Sequence, residues 1–285
     1  MKIVLGDNPF FGVNHLAGSK VLENEALRFS DAASVIDSAS RAGIDTFMIS
    51  NHASANNLLE ACAQRQIEVP DLALVLPVPS LYNDVVQQSG YWGLVKTLIP
   101  TALTNLPSLL YGILLGNLSR SVVRVLVSYE LTKIRLHREK VSHLCLHNII
   151  VDMFLAGGRT SFIESFVSEC ARRNIEPVLI TQNYPTLVSA LGDGRYTACF
   201  SCNPSGYMVN PTLSDVERAL DRRATQPNVK HRVWLMQVFA SGSVTLDEFL
   251  EFSRRIRGIE AVVYATTKPA RVTEFVAVCQ SDLSP

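Results

Sequence analysis

Three side chains suited to moving a proton stand where an apolar run of this sequence breaks into a polar one. His147 closes the run Val141-Ser-His-Leu-Cys-Leu-His, His52 follows Asp45-Thr-Phe-Met-Ile-Ser-Asn, and Asp7 follows Lys2-Ile-Val-Leu-Gly. An imidazole, with a reference pKa of about 6.5, exchanges protons near neutrality, and a carboxylate can orient it or take the proton itself. Amides recur at the same kind of boundary: Asn8, Asn51, Asn148, Gln182, Asn183, Asn203 and Gln237. Side chains that both donate and accept hydrogen bonds suit the fixing of a small substrate. Near the carboxyl end, Ser241, Thr266, Lys268 and Arg271 add hydroxyl and basic side chains to the same set. His15, His52, His147 and Asp7 come from separate loops, without a His-x-His or His-Glu-x-x-His pair, so no metal site is expected. Cys199 and Cys202 are three apart, which on a strand turns them to opposite sides and argues against a redox pair; Cys202 alone remains a candidate nucleophile.

The elements that position these residues alternate. Met1 to Gly6 reads as a strand, followed by a turn-rich loop and a helix from Asp31 to Gly43. A strand over 45–50, a helix through Arg65 and a strand over 72–77 follow. From Val141 the same rhythm holds: strand 141–147, helix 160–173, strand 176–181, helix 185–191, strand 196–202, a helix capped near Thr212 or Ser214, strand 231–237, helix 245–257, strand 260–265 and helix 269–279. Strands alternating with helices pair in parallel, and eight such units close into a single (β/α)8 TIM barrel over residues 1–285. In such a barrel the strand ends carrying His147, His52 and Asp7 form one rim. An open doubly wound sheet is the rival, but no Gly-x-Gly-x-x-Gly follows the first strand.

Between the third and fourth strands the rhythm stalls, which predicts an apolar and amphipathic helical insertion over 83–140. Trp92 to Leu118 holds one charge in 27 residues, with prolines at 100 and 107 against a continuous span. Short helices forming a lid, a homodimer surface or a membrane-surface contact are expected there. The segment 121–140 reads as an amphipathic helix. Lys+Arg and Asp+Glu balance at 26 each and no basic run is interleaved with aromatics, so a nucleic-acid partner is not expected. The amino terminus turns polar too soon for a secretory signal, and six scattered cysteines suit buried thiols, so a cytoplasmic protein without disulfides is predicted.

The carboxyl-terminal stretch Val233-Trp-Leu-Met-Gln-Val-Phe-Ala-Ser241-Gly, followed by Ile259-Glu-Ala-Val-Val-Tyr-Ala-Thr266-Thr-Lys268-Pro-Ala-Arg271-Val, resembles the last two strand and loop units of the aldo/keto reductases. Ser142-His-Leu-Cys-Leu-His147 resembles that family's fourth strand, Thr181-Gln182-Asn183 the end of its fifth and Cys199-Phe-Ser-Cys202-Asn203-Pro204 its sixth. The resemblance implies a reductase-type barrel, with His147 as the family's catalytic histidine. It also implies that Ser241, Thr266, Lys268 and Arg271 stand where NADP phosphates are held. The departures are informative. Met48 and Ala53 occupy the acid and tyrosine positions, the third strand ends Leu74-Val-Leu-Pro77 without a lysine, and Phe275 replaces an asparagine of the cofactor site.

Three functions follow. The first is a small-molecule enzyme without the reductase tetrad, performing non-redox acid/base chemistry (isomerase, lyase or cyclase) through His147 and requiring no cofactor. The second is an NADPH-dependent oxidoreductase with a relocated proton donor. The third is a non-catalytic ligand- or partner-binding barrel.

Overall fold

Short apolar runs bounded by Gly, Pro, Asp or Asn recur along the chain, and each forms a strand covered on both faces, as a parallel sheet requires. The computed structural model describes residues 1–12, 29–76, 87–107, 110, 118–226 and 228–282. Its eight strands are β1 (Lys2–Gly6), β2 (Thr46–Ser50), β3 (Asp71–Leu76), β4 (Val141–Leu146), β5 (Glu176–Thr181), β6 (Thr197–Ser201), β7 (Arg232–Met236) and β8 (Ala261–Tyr264). They pair in parallel in sequence order and close where β8 meets β1, Lys2 opposite Ala261. The described helices are α1 (Phe29–Arg41), α2 (Ala53–Gln64), α3 (Gln87–Thr104), α4 (Leu118–Lys133), α5 (Asn148–Ala156), α6 (Ser161–Arg172), α7 (Tyr184–Leu191), α8 (Leu213–Thr225), α9 (Leu246–Arg255) and α10 (Pro269–Asp282). The architecture is the expected (β/α)8 barrel.

Strand alternation divides the core in two. Val4, Met48, Val75, Cys145, Ile180 and Trp234 fill the barrel interior, while the intervening side chains face the helices. Cys199 is inside and Cys202 outside, and all six cysteines are buried free thiols. Burial raises the Cys202 thiol to about 12, which removes it as a nucleophile at neutral pH. Local signals set several helix starts. Thr245 and Glu248 form a capping box on α9, Thr212 caps α8 and Asn183 caps α7.

Two elements differ from the sequence-based expectation. The chain after β4 turns at once into α5, capped by His147, where no element was expected between the strand over 141–147 and the helix over 160–173. The helix expected over 121–140 ends at Lys133, and His137 takes a left-handed φ of 57° before the chain turns into β4. α4 lies along α6, and α3 rests on α4. Part of the insertion, residues 83–86, 108–109 and 111–117, and His15 lie outside the described residues. Among the described residues no helix is long and apolar enough to cross a membrane.

Candidate active site

β4 ends at Leu146, and His147 follows on the face that continues Cys145, the face turned into the barrel. Its extended backbone makes it the N-cap of α5, and its Nδ1 accepts the Ile149 N–H at 3.3 Å. A ring nitrogen that accepts carries no proton, so the neutral ring holds its hydrogen on Nε2. Partial burial pushes the His147 pKa below its ordinary value, against the pull of Asp152. The ring is therefore a neutral Nε2–H donor at physiological pH.

Asp152, one turn into α5, ties this rim to the next strand: Oδ1 accepts the Thr181 hydroxyl at 2.5 Å and Oδ2 accepts the Gln182 N–H at 2.9 Å. Reading the sequence missed this role, and its five-residue spacing from His147 was the available signal.

Asp7 follows Gly6, where a Cβ would crowd the Val263 Cγ1 at 3.1 Å. The residue is 4% exposed, and its Oδ2 accepts the Ser50 N–H at 2.7 Å. Burial raises its pKa to about 6, only partly offset by the hydrogen bonds to Ser50. A buried carboxyl that titrates near neutrality at a strand end is an unusual feature for a purely structural residue. β1 and β4 stand three strands apart in the closed order, so Asp7 and His147 reach the same rim from different strands. His52 opens α2 on that rim, with its ring edge-on to Phe11 at 4.3 Å.

The amides divide. Asn51 is fully buried, its Nδ2 donating to the Glu130 carbonyl at 2.8 Å and to Oε2 at 2.6 Å, so its amide anchors α4. Glu130 was missed, although a lone carboxylate among the buried Val123, Val127 and Ile134 is the kind of misfit that marks an internal polar link. Asn203 is also fully buried and spent on the chain. Its Nδ2 donates to the Tyr207 and Gln237 carbonyls, and its Oδ1 accepts the Ser205 hydroxyl and the Tyr207 N–H. Asn183 is occupied in capping α7. Gln182, Asn148 and Asn8 remain half-buried along the rim, Gln182 meeting Asn210 at 3.5 Å.

The loop after β7 is strained. Gln237, Ala240 and Ser241 take φ values of 53°, 43° and 57°, which non-glycine residues adopt only when the surroundings impose them. The Gln237 Oε1 is buried without a hydrogen-bond partner among the described residues. After β8, the buried Thr266 accepts the Lys268 N–H at 3.2 Å, and Lys268 and Arg271 are exposed at the start of α10. Behind them Phe275 stacks on Tyr264 at 4.2 Å and is buried. Among the described residues no three potential ligands converge as a metal would require. A groove of about 560 Å³ lies elsewhere, lined by α7 and α8 residues including Pro185, Arg218 and Arg222, and none of the rim residues contributes to it.

By sequence, the chain matches no protein-family model and no curated protein. By fold it has clear relatives. One crystal structure, described as a "putative aldo-keto reductase" from Pseudomonas aeruginosa, superposes with a TM-score of 0.61 at 14% identity, covering 99% of this chain and 90% of that one. A second structure so described, from the same organism, gives 0.60 at 12% identity over 99% and 90%. A "putative 2,5-diketo-D-gluconic acid reductase B" gives 0.51 at 13% over 97% and 81%. The chain shares the barrel fold of these structures. At these identities the likeness is one of fold, and the site must be argued from its own residues.

Proposed function

We propose that this reductase-like barrel is a small-molecule enzyme that moves protons, an isomerase, lyase or cyclase, with Asp7 and His147 as its working pair. The supporting observation is the joint presence, on one rim, of a buried carboxyl and a neutral imidazole whose Nδ1 is already engaged. Above about pH 6 Asp7 is a carboxylate able to take a proton from carbon beside a carbonyl. The His147 Nε2–H hydrogen-bonds the carbonyl oxygen as negative charge develops there. Where that carbon bears a hydroxyl, returning the proton to the former carbonyl carbon while the hydroxyl proton passes to the former carbonyl oxygen completes an isomerisation; expelling a leaving group from the carbon on its other side completes an elimination. Lys268 and Arg271 suit a phosphorylated substrate, its phosphate resting at the start of α10.

NADPH-dependent reduction is the second reading, favoured by the fold likeness and by Lys268 and Arg271. Bound there, the nucleotide would supply a hydride. Ser241, Thr266, Lys268 and Arg271 fit its phosphates, whereas the buried Phe275 offers no polar contact at the position where the resemblance expects an asparagine. Met48, at the expected acid position, is buried in the barrel interior.

Two measurements separate the readings. Deuterium uptake from D2O into small carbonyl compounds, present with wild type and lost in Asp7→Asn and His147→Ala, supports proton transfer. Fluorescence titration with NADPH to about 1 mM tests the other, a lack of binding removing it.

A further inference from the structure

Five large apolar side chains on the segment leading into α4 are exposed to solvent: Trp92 by 77%, Ile99 by 45%, Leu103 by 62%, Leu106 by 43% and Leu110 by 58%. Their steps of seven, four, three and four residues are those of a single helical side, although a turn at Asn105 interrupts the helix. Single exposed apolar residues are ordinary, but a stripe of them marks a surface that something covers.

The charges nearby indicate what covers it. Asp and Glu total 26 in the chain, yet none falls between Asp84 and Glu130. The only charged residues in that interval are Lys96, Arg120 and Arg124. Arg124 is ion-paired with Glu169 at 3.4 Å. Lys96 and Arg120, both exposed, bracket an uncharged run from 97 to 119. A second copy of this chain fits poorly, because an isologous contact brings the same cations together and this stretch has no carboxylate to pair with them. A surface offering phosphates above hydrocarbon fits both features at once. The apolar stripe enters the boundary between headgroups and acyl chains, the cations meet the phosphates, and an exposed tryptophan belongs at that depth.

We propose that the α3 face docks this barrel on an anionic lipid surface. It lies in the interface and does not cross the bilayer, since Pro100 and Pro107 break the run and no described helix is a span.

The whole chain carries its own probe. It has two tryptophans, and Trp234 is 3% exposed inside the barrel, so a change in emission on adding vesicles reports Trp92. Phosphatidylcholine vesicles are compared with vesicles in which roughly a third of the lipid is phosphatidylglycerol, by flotation and by tryptophan emission. The expected result is a blue shift and co-flotation with the anionic vesicles. Affinity should be about thirtyfold above that for the neutral ones, from two cations near the surface, and should weaken with salt. Lys96→Gln with Arg120→Gln should erase that preference. Trp92→Ser with Leu103→Ser and Leu110→Ser should abolish flotation while the far-UV melting curve is kept, since all three are exposed. Absent flotation and an unshifted spectrum overturn the proposal, as does equal affinity for both vesicles. So does a wild-type dimer that the triple variant converts to monomer without any vesicle binding, which would make the face a contact between copies.

Discussion

Asp7→Asn should make the protein more stable and less active, with a stability gain that depends on pH in a defined way. Burial raises the Asp7 carboxyl from 3.8 to about 6, so the folded state holds this proton more tightly than the unfolded chain does. For a group shifted in that direction, the contribution to stability is fully present below the unfolded pKa. It is lost as pH rises through the folded one. The interval between 3.8 and about 6 corresponds to about 3 kcal/mol carried as a cost at pH 8. Asparagine removes the charge but keeps an oxygen to accept the Ser50 N–H, now met at 2.7 Å. Urea unfolding followed by circular dichroism should therefore show a gain of about 3 kcal/mol at pH 8, about 1.5 kcal/mol near pH 5 and about 0.5 kcal/mol near pH 4. Proton-transfer turnover should fall by about 10²-fold or more. A variant destabilised at pH 8, or stabilised equally at every pH, would refute the assignment of Asp7 as a carboxyl held in a strained, working state.

His147 carries two roles that substitution can separate. His147→Ala should cost about 1 kcal/mol through the lost cap of α5 and also abolish turnover, whereas His147→Asn should keep the cap in unfolding experiments and still lose turnover. The wild-type kcat/KM should rise with pH through about 6 as Asp7 ionises, and a pH profile flat between 5 and 8 would exclude Asp7 as the base. Asn51→Ala leaves the buried Glu130 carboxylate with Lys133 at 3.2 Å and without its amide donor. It should cost about 1–3 kcal/mol in urea unfolding. Lys268→Ala with Arg271→Ala should weaken binding of a phosphorylated ligand by calorimetry about tenfold or more at low salt, with little change in melting temperature, since both side chains are exposed.

The barrel was legible because its signals are local. Apolar runs bounded by turn residues locate all eight strands to within a residue or two, and Thr212, Thr245 and Asn183 announce the helices they cap. α5 was not legible, because its cap is a histidine and two of its apolar residues, Ile149 and Met153, face solvent. The site was half legible. Strand alternation carried on from Cys145 puts His147 on the rim, and that inference needs no tertiary knowledge. The uses of Asn51 and Asn203 depend on partners such as Glu130 and Gln237, 79 and 34 residues away, which no spacing rule reaches. Asp7 drew attention as a strand-end carboxylate. Its shifted proton affinity comes from burial, only partly offset by the Ser50 N–H of β2, and only the closed barrel reveals either.

The most direct test incubates the wild-type protein in D2O, above pH 6 and without nicotinamide, with a panel of small phosphorylated and apolar carbonyl compounds, and follows deuterium uptake by mass spectrometry. Catalysed uptake next to the carbonyl of at least one compound, absent with Asp7→Asn, is the predicted result. No uptake from any compound, together with carbonyl reduction once NADPH is added, would contradict the account.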